Sequence, residues 1–279
     1  MMAVYQPAVN IFRNSNGPDL YEDRGRCRTD ATLITNEELD TMKFRDLTGL
    51  TTLLKWSLGV SIAMAIVSIW STWLEIDLLQ RIDLGGFVTE AEALANDSRQ
   101  GAIGSLAILL AIITGVIFLR WLFLSHSNVG ALGATNTVFT SGWAIGWYFI
   151  PFANLWKPYQ ALSETFEASH PDHLENWWDA RRPDILPLWW GLWILSAVVG
   201  RFLVRSGQNA ESLEDVLQVS WMTLGVDIVY LFLCVVAILV VGKLHSWQTQ
   251  KHERLQAAVA ASGAEILASA PPPEDSDSE

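Results

Sequence analysis

The sequence predicts an all-α polytopic membrane protein with four transmembrane helices and one broken helix, re-entrant or interfacial, at Ser141–Ser169. Three observations carry this expectation. The 279 residues are 51% hydrophobic and only 17% charged, and the apolar residues are clumped rather than spread. Four runs, Leu50–Leu74, Ala102–Leu124, Leu186–Val204 and Val219–Leu244, approach or exceed the ~20 residues a helix needs to cross a bilayer. Between the second and third, apolar aromatic sequence stops at a proline and resumes as an amphipathic pattern. A soluble bundle of four buried helices is disfavoured, because core helices this long keep a polar face.

In chain order, residues 1–34 are polar, carry Gly, Pro and Asn breakers and show no period, which predicts a disordered cytoplasmic tail. Thr35 and Glu38 make a capping-box pattern, so a short helix is expected over Asn36–Leu47. No cleavable signal peptide is expected; the first span itself would direct insertion. That span has Lys55 near its start and Trp70 and Trp73 near its end, a snorkelling lysine opposite an aromatic belt. The acidic loop 75–101 turns at Gly85-Gly86, and Thr89 with Glu92 predicts another short helix. Span two ends at Arg120 and Trp121, and a neutral Gly/Asn/Thr/Ser-rich linker follows.

The broken element comes next. Its first half, Trp143–Ile150, is eight residues long and rises only ~12 Å against a hydrocarbon core of ~30 Å. After Pro151, Phe152, Leu155, Tyr159, Leu162 and Phe166 take helical spacing, with Lys157, Gln160, Glu164 and Glu167 on the other side. A polar segment containing Trp177 and Trp178 leads to span three, which opens with Trp189, Trp190 and Trp193 and closes with Arg201 and Arg205. Span four runs into Lys243, His245 and Trp247, and its helix is expected to continue into solvent. The chain therefore divides into a tail, 1–34, a membrane domain, 35–248, and a C-terminal part, 249–279, made of a helix extension and a disordered acidic tail.

Lys and Arg in the loops set orientation. One side receives Lys43, Arg45, Lys55, Arg120, Lys157, Arg181, Arg182, Lys243, Lys251 and Arg254; the other receives Arg81, Arg99 and Arg205 among many acids. Both termini and the broken element are thus expected in the cytoplasm. A fifth full span at 141–162 would reverse that bias and bury Asn154, Lys157 and Gln160, so four are preferred. The net charge of −12 is dispersed and offers no basic footprint for nucleic acid.

Few residues suggest chemistry. Asp227 lies eight residues into span four, where a carboxylate must face protein and find a partner. Arg201 is the expected partner, as a structural ion pair, with a proton or cation relay as the alternative. Asn154, between Pro151 and Pro158, is read as the cap of the amphipathic helix, and otherwise as a ligand for a solute or ion. His170, Asp172, His173 and Glu175 are ligand-type residues, but His-x-x-His in a Pro-containing loop lacks zinc-site geometry. No phosphate loop and no nucleophile motif is present, so no cofactor, no metal and no catalytic residue are expected.

The order FLRWLFLSHSN…LG, SGWAIGWYFIPFANLWKPYQALSETFEASHP, WWGLWILS, VVGKLHSWQTQKHE resembles the bacterial membrane family called domain of unknown function 4328. The likeness is strongest at Gly142-Trp143, Gly146-Trp147, Pro151, Asn154-Leu155 and Pro158, and extends from about Ile103 to Glu253. Ser141 stands where the family often has Pro. The resemblance implies a multi-pass protein of the bacterial cell membrane and no assigned activity. Trp143, Trp147, Pro151, Asn154, Pro158, Arg201 and Asp227 are therefore the residues to locate. The expected function is a non-enzymatic scaffold, sensor or partner-binding subunit, in contact with lipid and with a protein partner or a second copy. The alternative is a small channel or transporter lined by the broken element and Asp227.

Overall fold

The computed structural model describes residues 43–174 and 176–269, with side chains to residue 262. The N-terminal tail, most of the helix expected over Asn36–Leu47, Glu175 and the last ten residues lie outside that range. Residues 44–47 are not helical.

Among the described residues all the regular elements are helices. α1 is Thr48–Asp83, α2 Glu90–Ala131, α3 Ser141–Gly146, α4 Lys157–Ala168, α5 Ile185–Gln208 and α6 Leu213–Ser269. Four of them (α1, α2, α5 and α6) are long and apolar enough to cross a membrane. Each outruns its apolar core, because backbone pairing once begun continues until a turn residue stops it. α1 stops at Gly85, whose φ of 76° few side chains tolerate. α2 starts at Thr89, whose hydroxyl accepts from the Glu92 amide at 3.2 Å. The capping pattern at Thr89 thus marks a real helix start, but of span two itself rather than of a separate short helix. Ser212 and Asp215 cap α6 reciprocally, each side chain accepting from the other's amide, at 3.2 and 3.0 Å.

The four long helices run up and down. α1 and α6 form the central pair; α2 packs on α1 and α5 on α6. α2 and α5 meet through aromatic side chains, Phe118 and Trp189 lying 5.8 Å apart between ring centroids. Outward faces carry Leu53, Val60, Ile66, Ile108, Ile112, Val116, Phe202 and Leu239, all exposed, as lipid-facing surfaces require. The inward faces instead include Ser61, Thr72 and Thr114, small residues that allow close helix approach. At one end, Trp73 meets Trp221 edge-on near the two tight turns. At the other end, α3, α4 and the start of α1 gather around α2 and α6.

Candidate functional site

Polar side chains enter the interior at several places, among them the gap beneath the broken element and the end of the bundle where α4 meets α6.

The broken element is broken as its sequence predicts. α3 tightens into a 3₁₀ turn over Trp147–Phe149, then Ile150 is extended, as a residue before proline must be. Phe152 follows at φ 64°, a second 3₁₀ turn covers Ala153–Leu155, and α4 begins at Lys157. Pro158 sits in the first turn of α4, where its missing N–H costs nothing. Asn154 does not cap α4: the cap position is Trp156, and no side chain bonds to the helix amides. Leu155 is held instead by its carbonyl, which accepts from the Trp190 indole at 3.1 Å. Trp143 and Trp147 stack obliquely at 4.7 Å, and Trp147 packs on Phe139, Ala144 and Ala161. Lys157 lies 5.8 Å from the Trp147 ring, a cation over its π face.

Below this element, Tyr148 and Phe149 help to line an open groove of about 290 Å³ between α2 and α5, with α1 and α6 behind it. A small cavity of about 30 Å³, room for roughly one water, is lined by Ser61, Ser68, Asp227 and Tyr230. Tyr230 borders both, whereas Asn154 borders neither. The expected Arg201–Asp227 pair is not formed. Asp227 accepts from the Ser68 hydroxyl at 2.6 Å, across to α1, while Arg201 is exposed on α5. α6 turns Asp227 toward α1 and not toward its neighbour in sequence, α5, because the central pair is α1 with α6.

The other polar site was not read from the sequence. Glu164, assigned to the outer face of the amphipathic helix, is buried. Its carboxylate accepts from the Val138 and Phe139 amides at 2.8 and 3.1 Å and lies 3.5 Å from His126 Nε2. α4 is therefore enclosed on both faces rather than lying half in solvent. The extension of α6 is likewise packed as far as Lys251, and the exposed Arg254 is the last residue bonded to the rest of the bundle. Gln248 donates to the Ser125 carbonyl at 2.7 Å and to Ser169 Oγ at 3.1 Å. The buried Lys251 ammonium donates to the carbonyls of Ala168 and His173 at 2.9 and 2.7 Å. Arg254 reaches the Pro171 carbonyl at 3.0 Å and pairs with Asp172. That contact holds the Asp172 carboxyl below its usual range. Burial pushes the Lys251 ammonium down to about 8.

The chemical logic is that of a helix terminus. Ala168 ends α4, so its carbonyl has no partner within the helix, and a cation there meets the negative end of the helix dipole. Asn128 does similar service at the start of α1, exchanging two hydrogen bonds with the backbone of Arg45 at 3.0 and 2.9 Å. One signal could have found this site. Gln248, Lys251 and Arg254 are spaced by three and continue the buried face of Leu244. His170 and His173 approach to 4.9 Å between rings, and among the described residues no three metal-ligating side chains converge.

Residues 85–246, more than half of the chain, match the family model described as Domain of unknown function (DUF4328). The match opens in the turn between α1 and α2 and includes Trp143, Trp147, Pro151, Asn154, Pro158, Arg201 and Asp227; it stops before Gln248 and Lys251. No curated protein and no solved structure matches.

Proposed function

The chain belongs to the DUF4328 family, and we propose that it is a non-enzymatic, partner-binding subunit of a bacterial cell membrane with both termini in the cytoplasm. The carrying observation is the end of α6. The helix is gripped up to Arg254, yet it continues to Ser269, and residues 256–262 are exposed on every side. An unsupported helix of about 15 residues is marginal in water even when rich in alanine. Leu255 and Val259, one helical turn apart, offer an apolar contact for a partner on this projection. The clamp made by Gln248, Lys251 and Arg254 gives the projection a fixed direction, which suits a docking element.

Orientation is supported by the basic residues: Lys43, Arg45, Lys55, Lys157, Arg181, Arg182 and Lys243 belong to the clamp end, against Arg81, Arg99 and Arg205 at the other. The channel alternative has less support, since Asp227 borders room for about one water and Asn154 is apart from it.

The test is purification from native membrane of the full chain and of a chain ending after Arg254. A protein recovered in stoichiometric amount with the first and lost with the second, while the truncated membrane part keeps its thermal stability, supports the reading. Equal recovery with both, or recovery of nothing with either, overturns it.

A further inference from the structure

The basic end of the bundle carries an open groove of about 670 Å³ along α6, between α1 and the entry to α5. Leu239, Gly242, Lys243 and Ser246 recur at three and four residues, so they share one face of α6 and floor the groove. Asp184 lines it from the entry to α5, and Lys55 reaches in from α1. The Lys55 ammonium lies against Gly242: a Cβ on that glycine would come within 3.0 Å of Nζ. Glycine is unfavourable inside a helix, and here its missing side chain is the space that the lysine occupies. The Lys243 ammonium is held 5.2 Å from the Trp247 ring. Among the described residues neither ammonium belongs to an ion pair, although the Asp184 carboxylate borders the same groove. Deeper in the bilayer the groove turns apolar, with Ile238 and the exposed Leu239.

We propose that this groove binds one anionic phospholipid, with the ammoniums of Lys55 and Lys243 donating to its phosphodiester. Charge selects the occupant. Two lysines and one aspartate leave the groove a net charge of about +1, which a lipid with one phosphodiester and an uncharged head group neutralises. A zwitterionic phospholipid leaves that charge unmatched. Position selects a lipid over a free anion. Basic pockets between spanning helices lie at the depth of lipid head groups, and the apolar stretch at Ile238 and Leu239 gives an acyl chain a wall to follow from there. Two lysines on different helices, one of them seated over a glycine, present two donors at fixed places, unlike lysines scattered on a surface. The site uses none of the clamp residues and none of the projecting helix, so it stands or falls apart from the partner-binding reading.

The probe is dioleoyl phosphatidylglycerol, titrated into the purified full chain in detergent, with the first bound lipid counted by native mass spectrometry and dioleoyl phosphatidylcholine as the zwitterionic counterpart. The anionic lipid is expected to bind about tenfold more tightly. Lys55→Met and Lys243→Met each weaken it about fivefold, the worth of one lysine at an anionic head group, and leave the zwitterionic lipid unchanged. Gly242→Ala keeps every charge but displaces the Lys55 ammonium, and weakens the anionic lipid in the same direction. Arg120→Met removes an exposed cation of α2 outside the groove and changes neither lipid. Should Lys55→Met fail to fold, Lys243→Met, at an exposed position, carries the test. Equal binding of the two lipids to the wild type overturns the proposal. A loss in Arg120→Met as large as in the lysine variants overturns it too, because the attraction is then diffuse surface charge. So does displacement of the lipid by excess inorganic phosphate at constant ionic strength, since the occupant is then a free anion.

Discussion

The ammonium of Lys251 donates to the carbonyl of Ala168 across 2.9 Å, so α6 closes the C-terminal end of α4 eighty-three residues away in sequence. A second bond, to the His173 carbonyl, uses another of its protons. Removing the amine leaves both carbonyls without a donor, and Lys251→Met is expected to lose ~1–3 kcal/mol at neutral pH. The same residue carries a pH signature. Its folded value, about 8, lies below the 10.5 of an ordinary lysine. Between those two pH values the unfolded chain holds a proton that the folded chain has shed, so stability rises with pH across that window. Below pH 8 both states are protonated and the residue contributes no slope. The unfolding midpoint of the wild type minus that of Lys251→Met, measured from pH 7 to 10.5, should therefore increase above pH 8. A flat difference would show that the ammonium is not shielded.

Asp227 belongs to Ser68 rather than to Arg201. Ser68→Ala should cost ~1–3 kcal/mol by leaving a carboxyl oxygen unmatched inside the bundle. Asp227→Asn, which keeps an acceptor for the same hydroxyl, should be tolerated better than Asp227→Leu. Arg201→Met should change the midpoint little, within about 0.5 kcal/mol, as for an exposed residue without partners. A large loss in Arg201→Met, rescued by Asp227→Leu, would restore the ion pair and contradict the packing of α6 on α1.

The two Gly-Trp pairs of the broken element are not equivalent. A Cβ on Gly146 would approach Trp143 Cε3 to 3.2 Å, whereas one on Gly142 would meet nothing within 4 Å. Gly146→Ala must push the Trp143 indole, which stacks on Trp147, by a few tenths of an ångström, and should cost up to ~1 kcal/mol, the low end for overpacking because Trp143 is half exposed. Gly142→Ala should be neutral or slightly stabilising, because alanine suits a helix better. Thermal unfolding and tryptophan emission of the two variants decide it; equal effects would mean that the Trp143–Trp147 stack is not fixed.

These residues show where the sequence is readable and where it is not. The spans, the Thr89 cap and the stop near Pro151 are local: bilayer thickness, a hydroxyl three residues from an amide, and a ring that forbids helix before it each act within one segment. The partner of Asp227 is not local. A span apolar on every side carries no phase telling which face meets which neighbour, so the sequence points to Arg201, on the adjacent span, and not to Ser68. Glu164 misled for the opposite reason. Its helix has a clear polar face, but that face meets the amides of Val138 and Phe139 and the ring of His126 instead of water. Amphipathic spacing distinguishes two faces; it does not say that the polar one is wet.

The break itself rests on the backbone of Phe152 and not on the side chain of Asn154. Phe152 follows Pro151 with φ at 64° and ψ at −51°, the centre of a γ-turn closed by the Ala153 amide on the Pro151 carbonyl at 2.8 Å, a strained conformation that costs ~1–3 kcal/mol, and the residue is 79% exposed, so little packing repays it. Phe152→Gly should therefore raise the unfolding midpoint, by about 1 kcal/mol in stability, since glycine adopts this φ freely. Phe152→Val should lower it, because a β-branched residue tolerates positive φ least. Asn154→Leu, expected from the sequence to remove a cap worth ~1 kcal/mol, should instead be nearly silent, as its side chain bonds to no helix amide. The three variants separate the accounts by sign. If Phe152→Gly and Phe152→Val lose stability alike, the aromatic ring matters and the strained turn does not. If Asn154→Leu alone is costly, the cap forms in the membrane after all, and the two prolines bracket it as the sequence pattern suggested.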